Sequence, residues 1–377
     1  MIAIVSVHND PNYGSALQAY ALAYAIGREG YDCEYIDYTP VIPPYNLRTK
    51  LKALAKRALL IIGVRKQSMS EYSYWESLDF LHQRLLFTEF HNSRIPFSKE
   101  KYNPLTIHEA NRAYDFFMVG SDQTWSPYVT KAKNTIFFLD FVVEGKLKGA
   151  YAPSLGTCHL EEEYIKKLKE KTVGFDFLSC RERHNAELLT RQLGKSVQYV
   201  LDPTLLLNKE EWLSIAESIK MPERYILCYI LGTKLCISSF AEKIGKEQSI
   251  PFYYIVSRPE YLNKTNALKD VSPGQFINLI YKAEYVITDS FHGTLFSINF
   301  RRQFYAFTKR DASENTTDND RIGDFLGVMN LSRRLKKDHD LTIEPNNIDY
   351  DLVEKILKPL REKSSIFLKR MLQNKNI

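Results

Sequence analysis

Apolar positions along this chain follow a repeated pattern: a short β-branched or aliphatic run, a polar turn, then apolar residues at helical spacing. Residues 2–7 are the first run, 8–15 the turn and 16–22 the helical stretch. Residues 33–38 then close a βαβ unit. Further strands are expected at 114–119, 148–152, 177–180 and 199–202, with a charged helix at about 160–170. A second series follows: strand 225–231, helix 235–247, strand 252–256, helix 273–282, and strands 285–288 and 303–307. Helical spacing resumes at 321–326, and 353–372 reads as a basic amphipathic helix. Two such series predict an α/β chain of two Rossmann-like domains facing a central cleft. The expected units are an N-terminal domain at 1–205, a C-terminal domain at 206–335 and a helical tail at 336–377, packing back on the first domain.

One stretch breaks the pattern. Residues 41–70 contain no Asp or Glu and carry Arg48, Lys50, Lys52, Lys56, Arg57, Arg65 and Lys66 among leucines and isoleucines. They read as a basic amphipathic helix within a helical insertion of about 41–95. A solvated helix face and a contact with an anionic membrane or a polyisoprenyl diphosphate both fit.

Composition narrows the function classes. The 377 residues are 44% hydrophobic and 25% charged, suiting two soluble globular domains. A net charge of +6 is mild, and no nucleic-acid partner is expected. The five cysteines are scattered without CxxC or Cys/His spacing, so neither a disulfide framework nor a zinc site is expected. That fits a reducing cytoplasm. The N-terminus reads as a strand rather than a signal peptide, and no apolar run approaches the roughly 20 residues of a spanning helix. The expected location is cytoplasmic, at the inner face of the membrane if the basic helices touch it.

Candidate chemistry gathers at predicted strand ends. After the strand at 285–288 come Asp289, Ser290, Phe291, His292, Gly293 and Thr294. Ser290, His292, Gly293 and Thr294 would stand at a helix N-terminus, where free N–H groups and the helix dipole favour an anion. An ordinary capped helix with a hydrogen-bonded histidine has the same local sequence. Asn12 and Gly14 occupy the equivalent place after the first strand. Ser121, Asp122, Gln123 and Trp125 follow the strand at 114–119. Asp122 and Gln123 suit sugar hydroxyls and Trp125 a sugar face; a plain turn with a packed Trp is the alternative. Arg181 suits a bidentate carboxylate or phosphate contact, or a surface ion pair with Glu182 or Glu187. No Asp/Glu/His constellation demands a metal, and none is expected.

Several stretches belong together: NYGSALQAYAL at 12–22, VGSDQTWSP at 119–127, YAPSLG at 151–156, SCRER at 179–183, VLDPTLLL at 200–207, VSPGQFINLIYKAEYVITDSFHGTLFSINF at 271–300 and RIGDFL at 321–326. In this order they resemble the polysaccharide pyruvyl transferase family from residue 2 to about 335. GSDQxW and SFHGT together are specific; either alone would be weak.

The resemblance implies a GT-B-like fold and transfer of pyruvate from phosphoenolpyruvate onto two hydroxyls of a sugar, forming a cyclic ketal and releasing phosphate. Phosphoenolpyruvate would be the donor substrate, with no other cofactor. The acceptor would be a capsule, exopolysaccharide or cell-wall glycan or its precursor, linked to a polyisoprenyl diphosphate. The resemblance makes His292 and Arg181 essential. Arg181 then clamps one anionic group of the donor, and the helix start at Ser290, Gly293 and Thr294 holds the other. Histidine is the side chain whose unperturbed pKa, about 6.5, lies nearest neutrality, so His292 would exchange protons there or stabilise the leaving phosphate. Asp122 orients or deprotonates an acceptor hydroxyl, and Asn12, Gly14, Ser121, Gln123 and Trp125 line the site. Asp289 stands where the family often has Asn, and is expected to add negative charge beside the anion site and favour protonated His292. A nucleotide-sugar glycosyltransferase on the same plan, or a non-catalytic glycan-binding or assembly protein, is the alternative.

Overall fold

The computed structural model describes residues 1–7, 11–40, 80–128, 135–232, 235–308, 320–337 and 340–374. The basic helix expected at 41–70 lies outside the described residues.

Five strands build the first sheet: β1 (Ile2–Val5), β2 (Cys33–Tyr38), β3 (Phe97–Tyr102), β4 (Phe116–Val119) and β5 (Leu147–Ala150). Their order is β3-β2-β1-β4-β5, all parallel. Two short strands, β6 (Ser179–Cys180) and β7 (Gln198–Tyr199), pair beside it. The second sheet contains β8 (Ile226–Tyr229), β9 (Phe252–Ile255), β10 (Ala267–Leu268), β11 (Tyr285–Thr288), β12 (Gln303–Phe307) and β13 (Leu335–Lys336), in the order β10-β9-β8-β11-β12-β13. These strands too are parallel. The central strands read IAIV, FFMV and ILCY because both faces of a parallel sheet are covered. In each sheet the winding reverses beside the first strand, β1 or β8. Ligands of open α/β sheets bind at the carboxyl ends of the strands flanking that point. The fold is α/β and GT-B-like, with two Rossmann-like sheets.

The helices are α1 (Tyr13–Arg28), α2 (Leu81–Arg94), α3 (Glu162–Lys171), α4 (Arg183–Leu193), α5 (Lys209–Leu213), α6 (Leu235–Gln248), α7 (Pro273–Lys282), α8 (Phe291–Asn299), α9 (Asp320–Val328) and α10 (Tyr350–Gln373). Every residue of α8 is buried, and α1 is buried from Tyr13 to Ala23. Such all-round apolar helices belong inside, and these two pack together between the sheets. Tyr13 stacks on Phe276 of α7 at 4.3 Å and donates its hydroxyl to Val271 O at 2.8 Å. The start of α7 follows from local sequence: Ser272 and Gln275 form a capping box, with Pro273 at the first helical position.

The α10 helix returns across the first sheet. Ser364 Oγ accepts Leu201 N–H at 2.9 Å, Lys369 pairs with Glu29 at 3.2 Å, and Met371 is fully buried. Arg361 joins three segments: its Nε donates to Leu205 O, its Nη2 to Asn299 Oδ1 at the end of α8, and its Nη1 to Glu354. Hydrogen bonds to a charged group contribute about 1.5–3 kcal/mol each in favourable cases. Arg361→Ala is therefore expected to lower the unfolding free energy by about 2–3 kcal/mol, read from denaturant midpoints at constant m-value.

Candidate active site

Successive strand ends lie side by side at one edge of the first sheet. Ser154 N–H donates to Asp122 O at 2.7 Å, Arg181 N–H to Pro153 O at 3.2 Å, and Val200 N–H to Cys180 O at 3.2 Å. The ends of β4, β5, β6 and β7 thereby bring Asp122, Arg181, Glu182 and Asp202 together. Asp122 takes a left-handed φ of 64°, which Asp tolerates better than most residues and which turns the chain at this edge.

From the second sheet, α8 approaches the same place. Thr288 Oγ1 accepts Ser290 N–H at 3.0 Å and donates to Tyr229 O at 2.6 Å. Ser290 caps the helix, its Oγ accepting Gly293 N–H at 3.3 Å. A Cβ on Gly293 would lie 2.6 Å from Thr288 Oγ1, so only glycine allows this close approach of helix and strand. Opposite, Asn12 caps α1 through Ser15 N–H. Gly14 lies against the imidazole of His292: a Cβ there would sit 2.0 Å from Nδ1.

Asp202 is the pivot between the two sheets. Its side chain is 1% exposed, and Arg181, equally buried, donates Nη1–H to its Oδ2 at 2.7 Å. His292 Nε2 stands 3.4 Å from the same oxygen, an ion-pair distance without a formed hydrogen bond. Thr204 N–H and Oγ1–H occupy Oδ1. Burial by itself would raise the Asp202 carboxyl. The His292 imidazole, the Arg181 guanidinium and Thr204 outweigh it and hold the group well below the usual carboxylate range. Arg181 Nη2 also lies 3.6 Å from Asp122 Oδ1. Glu182 Oε1 lies 3.8 Å from Arg181 Nε, and its carboxylate accepts from Ser154 Oγ and Leu155 N–H.

Two guanidinium groups flank Phe291. Arg181 lies 4.4 Å and Arg321 5.8 Å from its ring centroid, within cation–π range. Both Nη atoms of Arg321 reach the Gln123 side-chain oxygen, at 2.8 and 2.9 Å, in the amide orientation that satisfies both groups. The helix carrying Arg321 is tied to the first sheet's side. Asp320 accepts Cys158 N–H at 3.0 Å, and Asp324 accepts Arg183 N–H at 2.8 Å and His184 N–H at 3.3 Å at the start of α4.

Of the residues expected from sequence, His292, Arg181, Asp122, Gly14 and Gln123 converge here. Of the two pairs considered from the sequence, Arg181 forms the one with Glu182, Nε to Oε1 at 3.8 Å, but buried rather than at the surface; its hydrogen-bonded partner is buried Asp202. Trp125 is a correction: it is fully buried, stacks on Phe138 and donates Nε1–H to Phe137 O, so it offers no face to a sugar. Ser121 is another, being fully buried with its hydroxyl donated to Ala152 O. Ser290, Gly293, Thr294 and Asn12 lie at the starts of α8 and α1 and are engaged in their hydrogen bonding, Thr294 donating its hydroxyl to Ser290 O. Asp289 does not face the site: its carboxylate accepts Leu231 and Gly232 N–H at 2.7 and 2.6 Å, beyond β8. The acid beside His292 is Asp202, in the VLDPTLLL stretch at the expected end of the first domain and not among the expected site residues. Arg321 and Phe291 were missed as well, although both stand within motifs that carry the resemblance. Among the described residues no group of three or more His, Cys, Asp or Glu is placed to hold a metal ion.

Comparison with known proteins gives the site its context. No curated protein matches the chain significantly. Among solved structures it is similar to a putative UDP-N-acetylglucosamine 2-epimerase from Listeria monocytogenes, at 12% identity and a TM-score of 0.48, covering 98% of this chain and 90% of that one. It is also similar to the UDP-GlcNAc 2-epimerase of Neisseria meningitidis, at 10% identity and a TM-score of 0.47, covering 99% and 100%. The heptosyltransferase WaaC of E. coli gives 11% identity and a TM-score of 0.40, covering 96% and 100%. These likenesses are too distant to bear on chemistry. The family model for polysaccharide pyruvyl transferase, in contrast, matches residues 12–309, a span that takes in Gly14, Asp122, Arg181, Asp202 and His292. The chain belongs to the polysaccharide pyruvyl transferase family.

Proposed function

We propose that this protein moves the pyruvyl group of phosphoenolpyruvate onto two hydroxyls of a sugar in a polysaccharide or lipid-linked glycan precursor, releasing phosphate. One observation carries the reading. Arg181 Nε and Nη2 and His292 Nε2 are buried nitrogens with no hydrogen-bond partner among the described residues. Leaving a buried donor unmatched costs about 1–3 kcal/mol, more when the group is charged. Such donors suit an oxyanion ligand, and phosphoenolpyruvate brings two oxyanion groups.

In this reading Arg181 takes one anionic group and Arg321 the other, across the Phe291 ring. The start of α8 adds its dipole. Asp202 fixes the imidazole and balances the positive charge of its protonated form. His292 delivers a proton to the methylene carbon, leaving an oxocarbenium-like centre at C2. The first sugar hydroxyl adds there and loses its proton toward Asp122 or His292. The second hydroxyl forms the other C–O bond as the C2–O bond to phosphate breaks, and its proton departs with phosphate. One hydroxyl proton thus replaces the one given to carbon, and the products are ketal and inorganic phosphate. A polyisoprenyl-diphosphate-linked acceptor and contact with the inner face of a membrane fit the basic composition of residues 41–70. No described helix is long and apolar enough to cross a membrane.

The test is incubation with phosphoenolpyruvate and a panel of galactose- and mannose-type acceptors. Phosphate release should equal an acceptor mass gain of one pyruvate less water. Turnover of a nucleotide sugar with no use of phosphoenolpyruvate would instead establish a glycosyltransferase. Gly14→Ala should lower kcat about a hundredfold, because the new methyl must displace the His292 ring and misplacements of about 1 Å have effects of that size. Alanine favours helix over glycine by about 1 kcal/mol, so the unfolding midpoint should not fall in proportion.

A further inference from the structure

A second recess lies away from the Asp202 pivot. It is a groove of about 840 Å³ between α4 and β7 on one wall and α9 and α10 on the other. Four cations line it: Arg183 and Arg191 from α4, and Lys355 and Lys363 from α10. Arg183 pairs with Glu187 at 3.3 Å. Arg191, Lys355 and Lys363 are exposed, and no described acidic group pairs with any of them. Lys355, Pro359 and Lys363 recur every four residues, so one face of the basic C-terminal helix is spent on this groove. Between the cations stand hydrogen-bonding groups, Thr190, Ser196, Gln198 and Tyr199, and the apolar Val328, Ile356 and Leu360. The Tyr199 hydroxyl is buried without a hydrogen-bond partner among the described residues.

We propose that this groove is an exosite for an acidic saccharide segment, one whose sugars carry carboxylate or phosphate groups. Separated cations answer the charges, hydroxyl and amide groups answer sugar hydroxyls, and the apolar patches answer sugar faces. Its concave form, walled on two sides, suits a chain-like ligand better than the flat surface of a bilayer. Arg183 follows Arg181 by two positions, so the start of α4 links groove and site. Identifying the saccharide as part of the acceptor polymer rests on the function proposed above; the groove's binding of acidic saccharides does not.

The experiment measures binding without donor or turnover. A defined oligogalacturonide, an oligomeric glycerol phosphate and a neutral oligosaccharide of equal length are titrated calorimetrically into wild type and into the triple variant R191Q/K355Q/K363Q. Both acidic probes, or the one carrying the matching group, should bind wild type, weaken with salt, and bind the variant at least tenfold less tightly. The neutral probe should bind neither protein measurably. The variant should keep the wild-type melting temperature, since all three side chains are exposed, and should keep wild-type turnover of a single-sugar acceptor. Wild type binding neither acidic probe, or both proteins binding equally, overturns the exosite. So does loss of binding to anionic phosphatidylglycerol vesicles in the variant when neither saccharide binds wild type, which would make the groove a membrane contact.

Discussion

Replacing Asp202 by Asn should lower turnover by about 10²–10⁴-fold, the range associated with losing the carboxylate that orients a catalytic histidine. The substitution keeps the shape and changes the charge. The amide would present either its NH2 group to Arg181 Nη1–H, donor against donor, or its oxygen with no charge to balance the imidazolium. It would also leave Arg181 buried beside fewer anionic partners. Breaking a buried pair at one side typically costs about 3–5 kcal/mol, so unfolding midpoints should drop clearly. The pH dependence has a definite sign. The Asp202 carboxyl is held below its usual range in the folded protein. Its stabilisation is therefore complete above the unfolded value near 4 and is lost as pH falls through the lowered folded value. Denaturation series should show the wild type ahead of Asp202→Asn by a constant margin near neutrality, with the gap closing in acid. A margin independent of pH down to the acid range would remove Asp202 from its place as a charged partner.

Arg181 carries the second large effect. Arg181→Lys keeps a positive charge but loses the fork that reaches Asp202 while leaving Nε and Nη2 for a ligand, and the guanidinium contact over the Phe291 ring. kcat/KM for phosphoenolpyruvate should fall at least a hundredfold, with a smaller change in stability. Arg181→Ala should lower both, the stability by about 3–5 kcal/mol because Asp202 loses its hydrogen-bonded cation. An arginine paired only at the surface would leave the unfolding midpoint nearly unchanged. Parallel measurement of kcat/KM and chemical unfolding on both variants separates the two cases.

These effects depend on features unequally legible in the sequence. The central strands were readable because a parallel sheet buried on both faces leaves an uninterrupted apolar run, as in FFMV of β4. The edge strand β3, FSKEKY, was not, because three of its six residues are exposed and carry charge. The strand-end clusters were legible as clusters, but the facing of each side chain was not. In the turn after β4 the left-handed Asp122 points toward Arg181, while Trp125, three residues on, packs into the core with Phe138 and Phe175. Local sequence looks the same in either case. Asp289 and His292 share one motif yet face different neighbours, because the end of β11 lies beside the end of β8 and Asp289 caps the loop there. Asp202 was hidden for another reason. An Asp-Pro step after a strand reads as a turn, and only the return of β7 alongside β6 carries it to Arg181. Arg321 reaches Gln123 through a contact some two hundred residues long in sequence, and the Phe291 ring across about thirty, for which no local pattern exists.

Direct titration of phosphoenolpyruvate into the protein tests the central claim without knowledge of the acceptor. The site built around Arg181, Arg321 and His292 predicts saturable binding by the wild type, tighter than for inorganic phosphate or pyruvate alone. It also predicts at least tenfold weaker binding by both Arg181→Lys and Arg321→Gln. Absence of phosphoenolpyruvate binding to the wild type, or binding undiminished in both variants, would contradict it.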